Sequence, residues 1–410
     1  MTQLNSCRLK AIPHCGKIQD IGTFPFLRKR AIHSSNDNRR HMEKRAKAVI
    51  CREINQPVVV EEIIVEAPRR GEVMIRLAAC GVCHSDLSAT NGTIPFPPPV
   101  ILGHEGAGEV VAVGEGVSDY KVGDHVVSSF VSMCGKCRYC QTGRPQLCDQ
   151  AGKAMTTLPD GTVRTRDLAG NPLNVFSGCG VMAEYATLHV DNVVKIDQQV
   201  PLDKAALIGC GVMTGVGAAV NTAKVDPGSV TVVFGCGGVG LNAIQGCAIA
   251  GARMIVAVDT SDAKLEMARQ FGATHVVNSR NEENVVKTIT KLTEGGADYA
   301  FECVGLGEIA AQAYGVLRKG GTAVVVGVAG PKDMTSIRTA SLTFGEKTLT
   351  GSYFGSARPR EDFPRLIGLY RNHRLKLDEL ITRTYTIDEA PQAFADLSAG
   401  RNARGVIIFR

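Results

Sequence analysis

The sequence predicts an α/β protein in which a β-rich part precedes a parallel sheet. From residue 46 to about 188, short β-rich runs such as 72–77 are broken by Gly and Pro, which is typical of an all-β or mixed barrel-like domain. From about residue 227, strands alternate with helical segments, which indicates βαβ units. The chain of 410 residues exceeds the roughly 250 to 300 at which single cores tend to split, so we expect two domains.

The elements of the second part follow in order. Strands are expected at 230–234 and 254–258, and each is followed by a helix, the first reaching about residue 250 and the second covering about 263–271. Further strands are expected at 299–303 and 323–327, and the tail ends in a β-like run at 405–409. This rhythm predicts a parallel sheet.

Composition excludes several classes of protein. The hydrophobic content is 44% and the charged content 21%, which are ordinary values for a globular protein. No uncharged apolar run approaches the ~20 residues that a membrane span needs, so we expect no membrane partner. The net charge of +6 lies entirely in residues 1–41, and the remaining residues are neutral overall, so a basic nucleic-acid face is not expected.

Residues 1–41 are basic, poor in acids and contain adjacent serines, which is the composition of a mitochondrial transit peptide. The alternatives are a disordered tail, or an upstream extension of a protein whose true start is Met42. The predicted location is therefore the mitochondrial matrix, with the cytoplasm as the alternative. The 14 cysteines, in a long chain without a secretory signal, indicate a reducing compartment where thiolates serve as metal ligands more often than as disulfides.

A glycine-rich motif follows the strand at 230–234 and opens the next helix. It fits G-x-G-x-x-G, in which glycines permit a tight turn and let the backbone and the helix N-terminus approach a pyrophosphate. Asp259 closes the following strand, where a carboxylate can bind both ribose hydroxyls of NAD and would repel the 2′-phosphate of NADP. The alternative is a plain glycine-rich loop. The motif consists of Gly235, Cys236, Gly237, Gly238, Val239 and Gly240.

Four cysteines in the spacing C-x2-C-x2-C-x7-C can enclose one tetrahedral zinc ion with thiolates alone. A zinc site of this kind has no open position, so it is expected to be structural. An iron–sulfur cluster is the rival interpretation, since four cysteines do not by themselves identify the metal. The four are Cys134, Cys137, Cys140 and Cys148.

A second set of ligands is dispersed along the chain. Cys83, His104 and Cys210 together supply two thiolates and an imidazole, which leave a fourth zinc position for water or substrate. Such an ion acts as a Lewis acid and lowers the pKa of a bound alcohol. Asp86 is a candidate partner that would hold the imidazole of His104.

These motifs resemble the zinc-containing alcohol dehydrogenases of the medium-chain dehydrogenase/reductase superfamily, in the long, animal-type branch that includes class III. The resemblance rests on C-H-S-D, G-H-E-G-A-G-E-V, the four-cysteine cluster, G-C-G-V-M-T-G and G-C-G-G-V-G, and it runs from about residue 46 to the end. It implies a GroES-like catalytic domain made of residues 42–212 and 354–410. A Rossmann domain with a doubly wound parallel sheet, residues 213–353, would lie between these two pieces.

The resemblance also implies roles for single residues. Ser85 looks like the hydroxyl that takes the alcohol proton, and Glu105 like the carboxylate that can approach the metal. Phe130 and Thr214 would line the substrate pocket. The resemblance implies two zinc ions and NAD, and the long stretch after Cys148 implies a homodimer. Cofactor contacts would come from Val239, Val328 and Phe354 around the nicotinamide, His84 and Arg404 near the pyrophosphate, and Lys264 near the adenosine ribose.

Two departures from the family pattern bear on substrate and proton transfer. Ser88 stands where many members have a histidine that ends the proton relay, so the relay is either shortened to Ser85, ribose and water or taken up by His84. The arginine that the formaldehyde–thiol branch keeps shortly after Cys148 is missing. We therefore expect a primary or secondary alcohol as substrate. A glutathione adduct of formaldehyde or a polyol is the alternative, and a non-catalytic zinc-stabilised binding protein is a further one.

Overall fold

Three β-sheets organise the part of the chain that the computed structural model describes, residues 42–153 and 155–410. The predicted transit segment 1–41 lies outside these residues. The strands of the β-rich part are β1 (Lys44–Cys51), β2 (Val59–Val65), β3 (Glu72–Val82), β4 (Val100–Ile101), β5 (Gly106–Val113), β6 (His125–Ser128), β7 (Thr165–Asp167), β8 (Asn174–Val175), β9 (Tyr185–His189) and β10 (Val193–Lys195). Two more, β17 (Ile381–Tyr385) and β18 (Arg404–Ile408), come from the end of the chain.

These strands form two sheets. The five-stranded sheet has the order β7-β2-β1-β4-β8. The seven-stranded sheet has the order β10-β6-β5-β3-β18-β17, with β9 also paired to β3. Strand β18 lies antiparallel to β3 and pairs Gly405 with Val82. The end of the chain thus returns to the β-rich part, and Arg404 lies beside the residues that follow β3.

The third sheet is parallel throughout. Its strands are β11 (Val230–Phe234), β12 (Met254–Asp259), β13 (His275–Asn278), β14 (Ala297–Glu302), β15 (Leu317–Val325) and β16 (Thr348–Gly351). Their order, β13-β12-β11-β14-β15-β16, is that of a doubly wound sheet. In such sheets ligands bind beyond the carboxyl ends of the strands, where the strand order reverses, here between β11 and β14. The α/β class predicted from the sequence is confirmed.

Alternating side chains explain why this sheet is covered on both faces. Val232 and Phe234 pack into one hydrophobic cluster, whereas Val233 between them packs into another. Side chains of a strand point alternately to opposite faces, so a strand that is apolar throughout needs cover on each. The parallel sheet is therefore buried between two layers of packing.

The helices lie between the strands along the chain. The α-helices are α1 (His84–Thr90), α2 (Arg138–Gln141), α3 (Leu202–Ala206), α4 (Gly211–Gly217), α5 (Gly238–Ile249), α6 (Asp262–Gln270), α7 (Val285–Leu292), α8 (Gly307–Gly315), α9 (Thr339–Gly345), α10 (Pro359–Arg371) and α11 (Ala390–Ser398). A π-helix, Ala218–Ala223, extends α4. Short 3-10 turns lie at Pro145–Leu147, Phe176–Gly178, Val190–Asn192, Leu207–Gly209, Ser279–Asn281 and Ile387–Glu389, and a turn with positive φ values lies at Phe354–Ser356.

No single helix of the described residues has the length and apolar composition that a membrane span needs. One bent pair, Leu202–Gly209 with Gly211–Ala223, reaches them together, by length and composition only. Every residue of Gly211–Gly217 is buried within the protein.

A buried ion pair fixes the long stretch that follows Cys148. The guanidinium of Arg164 is fully buried and donates to both carboxylate oxygens of Glu72, over 2.9 Å from Nε and 2.5 Å from Nη2. Its Nη2 also reaches Asp160 at 2.5 Å. Burial of two charges is tolerated where the geometry is bidentate and the remaining donors are satisfied, as they are here.

Candidate active site

Four buried side chains from distant parts of the chain converge at one point. Cys83 is the one residue between β3 and α1. His104 and Glu105 directly precede β5, and Cys210 directly precedes α4. One ligand atom from each lies within 4.8 Å of the others. The three ligands that the sequence predicted for one metal ion are thus brought together, and Glu105 joins them.

The orientation of His104 fits a metal ligand. Its Nδ1 lies 3.3 Å from Oδ1 of Asp86, and that oxygen also accepts a hydrogen bond from the backbone N–H of Gly103 at 2.9 Å. The other ring nitrogen, Nε2, is buried and has no hydrogen-bond partner. Buried polar atoms are normally satisfied, and a histidine that binds zinc gives its second nitrogen to a carboxylate. The residues present therefore fit a zinc ion.

The two thiols at this point differ in acidity. The hydrogen bond from the Cys210 side chain lowers the pKa of the Cys83 thiol well below its usual range, and the nearby His104 and Arg404 act in the same direction. The pKa of Cys210 is raised in turn, because it shares that hydrogen bond and is buried. Thiolates are the form that binds metals, so Cys83 is prepared to act as a ligand.

Glu105 is held by a cation. Arg404 donates from Nη2 to Oε2 of Glu105, and the backbone N–H of Gly211 donates to Oε1 over 3.3 Å. Burial raises the pKa of Glu105 to about 7, although Arg404 opposes that shift. The carboxylate predicted to approach the metal is thus tied to the strand that returns from the end of the chain.

The four-cysteine cluster forms a separate site. Its ligand atoms lie within 4.8 Å of one another, and backbone N–H groups donate to the sulfurs of Cys134 and Cys137 over 3.4 and 3.5 Å. The hydrogen bond from the backbone of Cys140 lowers the pKa of Cys137 to about 6. Four sulfurs in this arrangement fit a zinc ion with no open position.

The glycine-rich turn links β11 to the N-terminus of α5. Gly235 has a φ of +89°, which favours glycine, and a Cβ on Gly240 would lie 1.7 Å from the carbonyl oxygen of Gly235. Asp259 at the end of β12 accepts hydrogen bonds from the backbone N–H of Cys236 at 2.8 Å and of Ser261 at 3.0 Å. The acid and the turn predicted to bind one dinucleotide are therefore in contact.

The basic side chain of Arg404, at the beginning of β18, lies at the start of α5. A Cβ on Gly238 would lie 2.5 Å from Cδ of Arg404, which places this arginine against the first turn of the helix. His84 has an exposed side chain, and partial desolvation lowers its pKa, with the charges of Arg404 and Lys264 acting in the same direction. The charge of Arg404, together with the helix N-terminus, is suited to a pyrophosphate.

Aromatic rings form one wall of the metal site. Phe130 lies edge-on to His104 with ring centroids 5.6 Å apart, and Phe354 lies 4.3 Å from Phe130. Phe176 also lies edge-on to His104, at 5.3 Å. Sequence reasoning identified Phe130 and Phe354 but missed Phe176, and with it Phe96 and Tyr353, which pack on these rings.

The remaining predicted residues lie around these groups. Ser85, in the first turn of α1, has its Oγ 3.8 Å from Sγ of Cys83. Thr214 is buried on α4, and the carbonyl of Val239 contacts the same helix at Gly215. Val328, after β15, is 66% exposed. Its backbone packs against Gly305, in the turn after β14, at the carboxyl edge of the parallel sheet.

Comparisons with known proteins agree with this geometry. Residues 69–198 match the family described as alcohol dehydrogenase GroES-like domain, and residues 238–372 match the zinc-binding dehydrogenase family. The chain is 40% identical to S-(hydroxymethyl)glutathione dehydrogenase of Paracoccus denitrificans, over 89% of this chain and 100% of that protein. It is 41% identical to the NDMA-dependent alcohol dehydrogenase of Amycolatopsis methanolica, over 89% of this chain and 99% of that protein. Benzyl alcohol dehydrogenase of Acinetobacter calcoaceticus has a similar structure, with a TM-score of 0.85 and 34% identity over 90% of this chain and 100% of that one.

Proposed function

Because the chain belongs to the zinc-binding alcohol dehydrogenases of the medium-chain dehydrogenase/reductase superfamily, we propose that it oxidises an apolar alcohol with NAD at the site of Cys83, His104 and Cys210. One observation carries the proposal. The Nε2 atom of His104 is buried without a partner, beside two thiols and an aromatic wall. A metal ligand that lies among aromatic side chains suits the activation of a small apolar alcohol.

The proposal includes two zinc ions per chain. Cys134, Cys137, Cys140 and Cys148 would hold the structural ion, and Cys83, His104 and Cys210 the catalytic one. Bound there, zinc supplies Lewis acidity that lowers the pKa of the alcohol hydroxyl.

The chain's own residues would do the rest. Ser85 would receive the alcohol proton at its Oγ, which lies 3.8 Å from Sγ of Cys83, while it passes its own hydroxyl proton on, either to the ribose and water or to His84. Asp86 would keep His104 in the tautomer that leaves Nε2 free, because its carboxylate faces Nδ1 at 3.3 Å. Phe130 and Phe354 would exclude water from the reacting carbon, and bound NAD would supply the hydride acceptor there.

We assign the choice between NAD and NADP to Asp259. Its carboxylate lies at the end of β12 against the glycine-rich turn, and Lys264 follows in the first turns of the next helix. A carboxylate at this position favours a ribose with free hydroxyls and repels a 2′-phosphate. His84 and Arg404 would then contact the pyrophosphate.

The Asp259→Ala variant is expected to lose much of its preference for NAD. The change removes both the ribose contact and the repulsion of a 2′-phosphate, and a hydrogen bond to a charged group contributes about 1.5–3 kcal/mol, or roughly 10- to 150-fold. The ratio of kcat/KM for NAD to that for NADP measures this effect. Asp262→Ala, on the exposed start of α6, is the matched control and is expected to leave the ratio unchanged. A wild-type enzyme that already prefers NADP would contradict the assignment.

The aromatic wall supports an apolar, preferably aryl, alcohol as substrate. Rings stack and pack edge to face with other rings more favourably than with small aliphatic groups, and Phe130 and Phe176 both border the metal ligand His104. A glutathione adduct is the second candidate, because one similar protein carries that activity in its name. Cys148 is followed by Asp149, Gln150, Ala151 and Gly152, and this run does not supply the arginine of the formaldehyde–thiol branch.

A substrate panel tests the proposal. Purified protein is given NAD with benzyl alcohol, ethanol, a polyol, or formaldehyde with glutathione, and NADH formation is followed. We expect the largest kcat/KM for benzyl alcohol. A parallel series contains NDMA, because one relative is named for its dependence on that compound. If the protein turns over only the glutathione adduct, that adduct replaces the aryl alcohol as the proposed substrate. If it oxidises no alcohol in either series, the proposal is refuted.

The predicted homodimer and the predicted mitochondrial location stay proposals. The homodimer rests on the family resemblance. The location rests on residues 1–41, which lie outside the described structure. Size-exclusion chromatography and the import of a reporter protein fused to these residues would test the two separately.

A further inference from the structure

A left-handed turn carries the aromatic wall. Three consecutive residues, Phe354, Gly355 and Ser356, have φ values of 55°, 64° and 49°. This conformation is open to glycine, but it crowds the Cβ of Phe354 and of Ser356 against the backbone. Residues in such conformations persist only where the surrounding structure holds them.

The π-helix that extends α4 supplies some of the hydrogen bonds that hold this turn. Nδ2 of Asn221 donates to the carbonyl oxygen of Gly355 at 3.3 Å and to Oδ2 of Asp362 at 3.2 Å. Oγ1 of Thr222 lies 2.8 Å from the hydroxyl of Ser352 and 2.8 Å from that of Ser356. The middle and the last residue of the turn are thus bonded to adjacent residues of the π-helix, a rare element that is frequent at functional sites.

Asp362 accepts further hydrogen bonds beside the turn. It is 2% exposed, and its Oδ2 also accepts the backbone N–H of Arg358 at 2.7 Å. The turn packs closely on α4 as well, since a Cβ on Gly217 would lie 2.3 Å from the carbonyl oxygen of Gly355. We call Asn221, Thr222 and Asp362 the turn clamp.

The clamp connects two parts of the site. Helix α4 begins directly after the ligand Cys210, and the π-helix that extends it holds the turn 354–356. The ring centroid of Phe354 in this turn lies 4.3 Å from that of Phe130. Phe130 in turn lies 5.6 Å from His104. We propose that the turn clamp is a set of positioning residues that fixes Phe354 against Phe130, the ring that borders His104, and so sets the affinity for aryl alcohols. This inference rests on the proposed function.

Three variants test the clamp. Thr222→Val keeps the shape of the side chain but removes the hydroxyl, and Thr222→Ser restores the hydroxyl. Thr288→Val removes a half-buried hydroxyl on α7 that donates a hydrogen bond to Glu282. Steady-state kinetics with benzyl alcohol and ethanol, together with melting temperatures, are measured for each. Thr222→Val is expected to lower kcat/KM for benzyl alcohol about tenfold, mainly through KM, because the loss of bonds to two serines frees the turn. The effect with ethanol is expected to be smaller.

The remaining variants separate positioning from general stability. Thr222→Ser and Thr288→Val are expected to stay within about twofold of the wild type in kcat/KM, even where Thr288→Val lowers the melting temperature as much as Thr222→Val. If Thr222→Val matches Thr288→Val in kinetics while the wild type oxidises benzyl alcohol, the clamp is refuted and the proposed function stands. If the wild type oxidises no alcohol, both are refuted.

Discussion

Replacing Ser85 by alanine is expected to lower kcat by about 10²- to 10⁴-fold, the usual contribution of a positioned acid or base. The reason is geometric. Ser85 lies in the first turn of α1, and its Oγ is 3.8 Å from Sγ of Cys83, so the ligand set and the hydroxyl share one short segment. Zinc content and affinity for NAD are expected to change little, because Ser85 belongs to neither binding set. Stopped-flow measurement of NADH formation gives the rate of the chemical step directly.

Two variants control for this experiment. Ser85→Thr keeps a hydroxyl and is expected to retain most of the rate, whereas Ser88→Ala, one turn further along α1, is expected to change it less than about twofold. Ser88 cannot act as a base near neutral pH, so it does not replace the histidine that many family members have there. Full turnover by Ser85→Ala across the pH range would show that the proton leaves by another route.

Replacing Cys210 by serine is expected to lower kcat/KM by about 10³-fold or more. Stabilisation of charge by a Lewis acid amounts to several kcal/mol, and each 1.4 kcal/mol corresponds to about tenfold in rate. A serine hydroxyl is a poorer ligand for zinc than a thiolate, so the catalytic ion would be lost or loosely held. Alcohol oxidation under saturating NAD measures the effect.

Cys179→Ser is the matched control for that variant. Cys179 is also buried, and its Sγ donates to the carbonyl oxygen of Ser129 over 3.6 Å, a bond that a serine can keep. It lies outside both ligand sets of the described residues. We expect this variant to retain its rate, and an equal loss in both variants would mean that burial, and not metal binding, explains the effect.

Local patterns were enough to predict much of the fold. Strand β11 was predicted at 230–234 and found at Val230–Phe234, because a run of five buried apolar residues between turn residues suits a central parallel strand. The predicted strand at 323–327 is only the end of a longer one, β15, which begins at Leu317. Its first half contains charged residues and glycines, so no apolar pattern marks it as a strand. Spacing likewise indicated the four-cysteine cluster.

Contacts between distant residues could not be predicted from local patterns. Phe176 and Phe96 border the site only because β8 and the segment before β4 are brought together in the five-stranded sheet. The pair of Arg164 and Glu72 joins positions 92 residues apart, and no local signal marks either residue as buried. The π-helix and the left-handed turn are each unfavourable alone and depend on their mutual hydrogen bonds, which propensities along the sequence do not encode.

The zinc content of purified wild type and of Cys210→Ser tests the central claim most directly. The claim is that Cys83, His104 and Cys210 hold a catalytic zinc ion, distinct from the ion of the four-cysteine cluster. Metal analysis is expected to give two zinc ions per chain for the wild type and one for the variant, with alcohol oxidation lost in parallel. One zinc ion in both proteins, or two in both, would contradict the account.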